Sequence, residues 1–182
     1  MSVFSNRKAD AAAGAGAYIA AVLNLLGDAD PLAQLRSTAD QVVRRCDGHS
    51  DEVLRRPEAP GKWSAAMVIQ HLADSDLVWG YRMRLVIAED RPRLTGFDQD
   101  LWADRLRYRD AHPQRALDEF RTLRDINLRL IDGLDASDLA RAGVHTERGD
   151  ESLDHMIRLY AGHDLVHLRQ LDRVLGLHGA SA

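Results

Sequence analysis

Two histidines four residues apart are the residues of this chain best placed to do chemistry together. They are His163 and His167 in the string Ala161-Gly-His163-Asp164-Leu-Val-His167-Leu-Arg-Gln170. A helix turns about 100° per residue, so the two rings lie roughly 40° apart around the axis and one turn apart along it, able to face one spot. They interrupt an inward-looking series, Leu153, Met156, Tyr160, His163, His167, Leu171 and Val174, spaced by threes and fours like a helix facing a core. An imidazole in such a place needs a hydrogen bond or a metal, because burying its nitrogens without partners is unfavourable. A third ring, His71, shares a helical face with Val68, Val78 and Leu85 and points at least partly inward. If the two helices pack antiparallel or at an angle, all three rings meet. Three neutral imidazoles suit zinc, nickel or ferrous iron, and leave positions open for water or substrate as catalytic sites do. The competing explanation is three core histidines bonded to carbonyls or hydroxyls. The zinc-protease pattern with glutamate after the first histidine is absent, since Asp164 follows His163.

Other polar residues stand near this constellation. Gln170, three after His167 on the same stripe, either orients a ligand or closes the helix end. Asp74, one turn after His71, either accepts that ring's far N–H or stays solvated. His145, in a glycine-flanked stretch, either overhangs the site or lies on the surface. Asp164 faces sideways from His163 and suits a cap or an interhelix salt bridge. Arg124 and Asn127 interrupt the inner stripe of the third long helix, where they either contact a polar substrate or report a rotated helix. Trp63, just before a helix cap, reads as packing. His155 is displaced by about 80° from His163 and is not expected to be a ligand. His49, His112 and His178 fall in turns or at the terminus and are expected to face solvent.

The elements that must position these residues are helical. Residues 8–26 form a predicted helix ended by Gly27. Asp30-Pro31 pairs an N-cap acceptor with proline at the first helical position, opening a helix to about Asp47. Ser50 caps a short turn, and Ser64 opens a helix to about Glu89. A short helical piece is expected around Asp98–Leu106, a long helix from His112-Pro113 to about Leu134, and a turn at Asp135–Leu139. Residues 140–150 read as loop, and Ser152 opens the last helix, ending near Gly176. No alternating strand pattern is evident. Four amphipathic helices bury their stripes only against each other, so the fold class is all-α, a four-helix bundle with an additional N-terminal helix. The expected division is an N-terminal helical extension over 1–28 and a bundle over 29–182. The connection over roughly 90–112 is long for a hairpin between antiparallel neighbours and could cross the bundle, so simple up-down-up-down connectivity is not assured.

Composition narrows the function classes. The 182 residues carry a formal charge of −4, with 45% hydrophobic and 29% charged residues, and a pI near 6.0. These values suit a globular domain and offer no basic stripe for nucleic acid. No run approaches the length of a membrane span. The single cysteine, Cys46, excludes an intramolecular disulfide framework, fits a reducing compartment and reads as a structural thiol. A cytoplasmic location is expected.

The string Gly61-Lys62-Trp63-Ser64, then His71-Leu72-Ala-Asp74, then His163-Asp164-Leu-Val-His167-Leu-Arg-Gln170 resembles the DinB-like family, the metal-binding superfamily that includes bacillithiol- and mycothiol-dependent enzymes. Phe97-Asp98-Gln-Asp100-Leu-Trp102, and Val144-His145 with Gly149 before the last helix, fit the same ordering; the resemblance spans roughly residues 30 to 175. It implies a four-helix bundle in which His71, His163 and His167 bind one divalent metal. Nickel and zinc both have precedent in the family; the donor set also admits iron. It further implies a small-molecule substrate, a low-molecular-weight thiol in some members, and homodimers in many. The resulting expectation is a divalent-metal-dependent enzyme, a thiol-dependent S-transferase or a hydrolase, activating a thiol or water. The alternative is a non-catalytic metal-binding stress-response protein.

Overall fold

The computed structural model describes residues 11–177. Residues 8–10 of the first predicted helix, and His178, lie outside them. In chain order the elements are α1 (Ala11–Leu26), α2 (Pro31–Cys46), α3 (Asp51–Leu54), α4 (Ala65–Ala88), β1 (Arg93–Leu94), α5 (Gln99–Arg105), α6 (Pro113–Asp132), α7 (Ala136–Ala140), β2 (Ala142–His145), β3 (Gly149–Ser152) and α8 (Leu153–Val174), with a short 3-10 turn at Tyr108–Asp110 before α6. The caps explain the boundaries. The Asp30 carboxylate accepts from the Leu32 N–H, with Pro31 opening α2. The Ser64 hydroxyl accepts from Met67 N–H at the start of α4, and the Ser152 hydroxyl from His155 N–H at the start of α8.

Side-chain pairings give the helix directions. Gln70 meets Glu119 and Asp76 meets Arg124, so α4 and α6 run parallel. Thr38 meets Asp164 and Arg45 meets Asp172, so α2 and α8 also run parallel. His71 meets His163 while Asp76 meets Tyr160, so α8 is antiparallel to α4. Asp40 lies against Arg121 and the Leu35 carbonyl against Arg124, so α2 is antiparallel to α6. The order is therefore up-down-down-up. The long stretch over 89–112 joins parallel neighbours and must return along an α4 of 24 residues, about 36 Å.

The expected loop over 140–150 is instead a hairpin, a correction to the strand-free reading. β2 pairs antiparallel with β3, and β1 adds parallel to β2 with Arg93 opposite Val144. Strands of two to four residues are too short to display an alternation in sequence. This small sheet ties the α4–α6 return to the entry of α8.

Two large groups of apolar residues fill the interior, with a smaller one at Met67, Ala103 and Tyr108. One gathers Trp79, Met83, Leu153, Met156 and Tyr160, and α1 contributes Val22 and Leu26 to it. The other holds Val42, Leu72, Phe120, Leu168 and Leu171. No helix among the described residues is long and apolar enough to cross a membrane. α1 runs antiparallel to α8, with Val22 at Gly162 and the Gly27 carbonyl accepting from Arg158. The approach at Gly162 needs glycine, because a Cβ there would stand 2.5 Å from the Val22 carbonyl oxygen. Backbone cannot rotate away as a side chain can. Gly162→Ala is therefore expected to lose about 1–3 kcal/mol in urea unfolding. Gly16→Ala, on the exposed side of α1 with nothing near its Cβ position, should be neutral or gain up to ~1 kcal/mol.

Candidate metal centre

α4 and α8 bring the three histidines together across their antiparallel contact. His163 and His167 lie one turn apart on α8, and His71 lies two turns into α4. The Nε2 of His163 sits 3.3 Å from that of His71 and 3.1 Å from that of His167. One ligand atom from each ring lies within 4.8 Å of the others. All three rings are buried.

The hydrogen bonds set the protonation pattern. Gln170 Oε1 lies 2.8 Å from His167 Nδ1 and accepts its proton, turning an Nε2 lone pair toward the cluster. Nδ1 of His71 and of His163 is buried with no partner. The Ser75 hydroxyl lies 3.3 Å from His71 Nε2. Three neutral rings facing one point cannot satisfy one another, since each lone pair needs a donor and few protons are at hand. A cation among the three nitrogens relieves that conflict, so the donor set fits a divalent metal.

Burial keeps the rings neutral. His71 is driven well below the usual imidazole range by desolvation and then by His167. His163 is driven well below it by desolvation, then by His167, His71 and Arg124. His167 falls to about 4, where burial outweighs the opposing Gln170 hydrogen bond and Asp164. Neutral imidazole is the metal-binding form.

A cavity of about 120 Å³ opens onto His71 and His163. Ser75, Trp79 and Arg82 of α4, Phe97 from the return segment, Arg148 from the hairpin and Tyr18 from α1 line it. Trp63 backs His71 from the far side, its ring 5.1 Å away.

Behind the histidines lies a buried ion cluster. Arg124 spans Asp76 and Asp164 with two bonds to each, at 2.6 to 3.0 Å, and donates to the Leu35 carbonyl at 2.9 Å. The Thr38 hydroxyl donates to Asp164 at 2.7 Å, and Tyr160 OH donates to Asp76. Asn127 donates to the Asp76 carbonyl at 2.8 Å. A Cβ at Gly80 would collide with the Asn127 side chain, so glycine admits that approach. Asp164 makes the expected interhelix bridge. Arg124 and Asn127 point inward, bound to acid rather than to a substrate. Asp76 was missed, although its signal is visible: an acid at helical spacing among Leu72, Trp79 and Met83, all buried.

Of the remaining sequence candidates, Gln170 orients His167. Asp74 touches no histidine; it accepts from Tyr108 OH at 2.5 Å. His145 is buried in β2, its Nδ1 accepting from Glu147 N–H, and does not line the cavity. His155 stands apart from the cluster. Burial pushes the Cys46 thiol up to about 11, which fits the structural role. Ser75, Arg82, Arg148 and Tyr18 were not foreseen, because only the packing of three separate segments places them on one cavity.

The family model of the DinB superfamily matches residues 34–171, beginning after α1. A protein of Bacillus licheniformis is 28% identical over 123 residues, 67% of this chain and 70% of its own. One of Oceanobacillus iheyensis is 30% identical over 122 residues, 67% of this chain and 70% of its own. Both bear the name "putative metal-dependent hydrolase". Among solved structures, YfiT from Bacillus subtilis, described as "a probable metal-dependent hydrolase with an unusual four-helix bundle topology", superposes with a TM-score of 0.71 at 23% identity, covering 80% of this chain and 86% of that one. At that identity the likeness is one of fold.

Two measurements probe the centre and its support. Each histidine binds a proton less readily folded than unfolded, so the unfolded chain holds more protons as pH falls. Stability of the metal-free protein is thus complete above the usual 6.5 and lost as pH falls toward about 4, at up to ~1.4 kcal/mol per pH unit for each ring. Urea midpoints from neutral to acid pH should show this slope, and His167→Gln should flatten it. Arg124→Met, leaving two buried carboxylates without a counter-charge, is expected to lose about 3–5 kcal/mol. Arg36→Met, at an exposed pair with Asp132, should lose under ~1 kcal/mol.

Proposed function

The chain belongs to the DinB superfamily, and from that premise we propose that it is a metal-dependent hydrolase of a small molecule, with one divalent metal held by His71, His163 and His167. The observation that carries this is the convergence of three buried, neutral Nε2 atoms on one point beside an open cavity. The names of its relatives agree in class. When bound, a divalent metal on three imidazoles supplies Lewis acidity and lowers the pKa of a water or thiol in its open positions.

The chain's own residues supply the rest. Gln170 holds His167 in the tautomer that presents Nε2. Ser75, within 3.3 Å of His71 Nε2, offers a hydroxyl on the cavity side, able to accept from or donate to whatever occupies the open side of the cluster. Trp79 and Phe97 give the cavity apolar walls that exclude bulk water from the reacting bond and strengthen polar contacts inside it. Hydrolysis needs only water as co-reactant, adding OH to one fragment and H to the other. A zinc or nickel ion suits three nitrogen donors, and iron remains compatible with them.

Untagged protein is expected to retain or rebind about one equivalent of divalent metal per chain, read by elemental analysis. His71→Ala, His163→Ala and His167→Ala should each lose it while circular dichroism remains helical. Wild-type-like metal content in all three variants would reject the site. A panel of small esters and amides should show turnover that disappears on chelation and returns with metal. Turnover appearing only with added thiol would replace hydrolysis by thiol transfer, and metal binding without turnover of either kind would leave a non-catalytic binding protein.

A further inference from the structure

Arg82 is a buried cation with no ion-paired acid among the described residues. It is 5% exposed, and it meets the Thr95 carbonyl oxygen, which accepts from Nη2, and the face of Trp79, 5.8 Å from the guanidinium carbon. No carboxylate among the described residues forms an ion pair with it. Its neighbour Arg148 is already committed, with two bonds to the buried Glu151. The two arginines line the same cavity as His71 and His163. Glu151, and after it Glu147, which also lines the cavity, attract Arg82 from a distance, but neither makes an ion pair with it. Burying a guanidinium is unfavourable unless its donors are met, and one carbonyl meets few of five.

The helix explains the aim. Arg82 follows His71 by eleven residues, which returns it to within roughly 20° of the same face. Side chains of a helix tilt toward its N-terminus, so a long arginine reaches back along α4 toward His71 and Ser75. Trp79, one turn earlier, stacks on Tyr160 with ring centroids 5.4 Å apart and gives the guanidinium a fixed plate. Arg82 and the rings of His71 and His163 thus line one cavity.

We propose that this cavity binds a small substrate carrying an anionic oxygen group, a carboxylate, received by the guanidinium of Arg82. The planar fork matches a carboxylate with two parallel hydrogen bonds, and the surrounding apolar walls strengthen the pair. Arg148, held by Glu151, adds positive potential without making the contact. The volume of about 120 Å³ accommodates on the order of ten water-sized groups, so the acid is a short one. The substrate class deepens the metal-dependent reading and rests on it for the reaction, but the anion contact itself does not pass through the histidines.

The test uses propionate and its neutral isostere propionamide on the full chain, with and without metal, read by tryptophan fluorescence and thermal shift. Propionate should bind saturably and propionamide at least about tenfold more weakly. Arg82→Gln should weaken propionate about tenfold or more while leaving propionamide and metal content unchanged, and Arg82→Lys should recover part of the loss. Equal binding of the two probes by the wild-type protein, no binding of either, or unaltered propionate affinity in Arg82→Gln would overturn the proposal. The wild-type comparison decides even if the variants fold poorly. Arg82-dependent propionate binding by a protein that retains no metal would sink the metal reading and leave this one standing. Metal bound without propionate discrimination would do the reverse.

Discussion

The guanidinium of Arg124 is the contact on which the four long helices depend together. Its five N–H groups are all used, on Asp76 of α4, on Asp164 of α8 and on the Leu35 carbonyl of α2, while the residue itself belongs to α6. One positive and two negative charges, fully desolvated, give little net stability by themselves, because desolvation offsets most of their attraction. Their effect is on register. A slip of α4, α6 or α8 by one turn would leave a buried charge without its partner, and a slip of α2 would remove the Leu35 and Thr38 hydrogen bonds, whereas apolar side chains tolerate such slips. Thr38, Tyr160 and Asn127 take up the remaining lone pairs and close the cluster.

That register is what the histidines require. Asp164 is next to His163 in sequence, and Asp76 is next to Ser75, whose hydroxyl reaches His71. Fixing the two acids to one arginine therefore fixes the neighbouring turns of α4 and α8, and with them the separation of the imidazoles. His163 Nε2 lies about 3 Å from each of the other two, and all three nitrogens, within 4.8 Å of one another, are held by helices rather than by loops, which suits a pre-organised set of donors. The return segment, the hairpin and α1 then supply the walls. The same scaffold thus separates two tasks: α4 and α8 present donors, and the connections shape what approaches them.

Much of this was legible in the chain. The caps at Asp30, Ser64 and Ser152 act through local hydrogen bonds, so their helices begin where the sequence places them. The inward direction of His163 and His167 follows from helical period alone. Gln170 was legible as a neighbour but not as His167's partner, because a spacing of three serves a helix end equally well. The hairpin was illegible: its strands are too short for a period, and its pairing with Arg93–Leu94 joins segments some fifty residues apart. His145 and Asp74 stayed open in the sequence because neither a glycine-flanked stretch nor a one-turn spacing says which way a side chain turns once β2 or the Tyr108 contact claims it.

Sequence alone determined the helices, the three histidines and the family they resemble, since capping, periodicity and motif spacing act over a few residues and survive without tertiary context. Only the tertiary structure decided that His71 meets the other two, that Arg124 serves acids instead of substrate, and that Arg82 faces the cavity with no ion-paired carboxylate among the described residues. Those outcomes depend on which helices run parallel and on how 89–112 returns between α4 and α6. The free energy that selects such an arrangement is spread over contacts between residues distant in the chain, where local spacing carries no information.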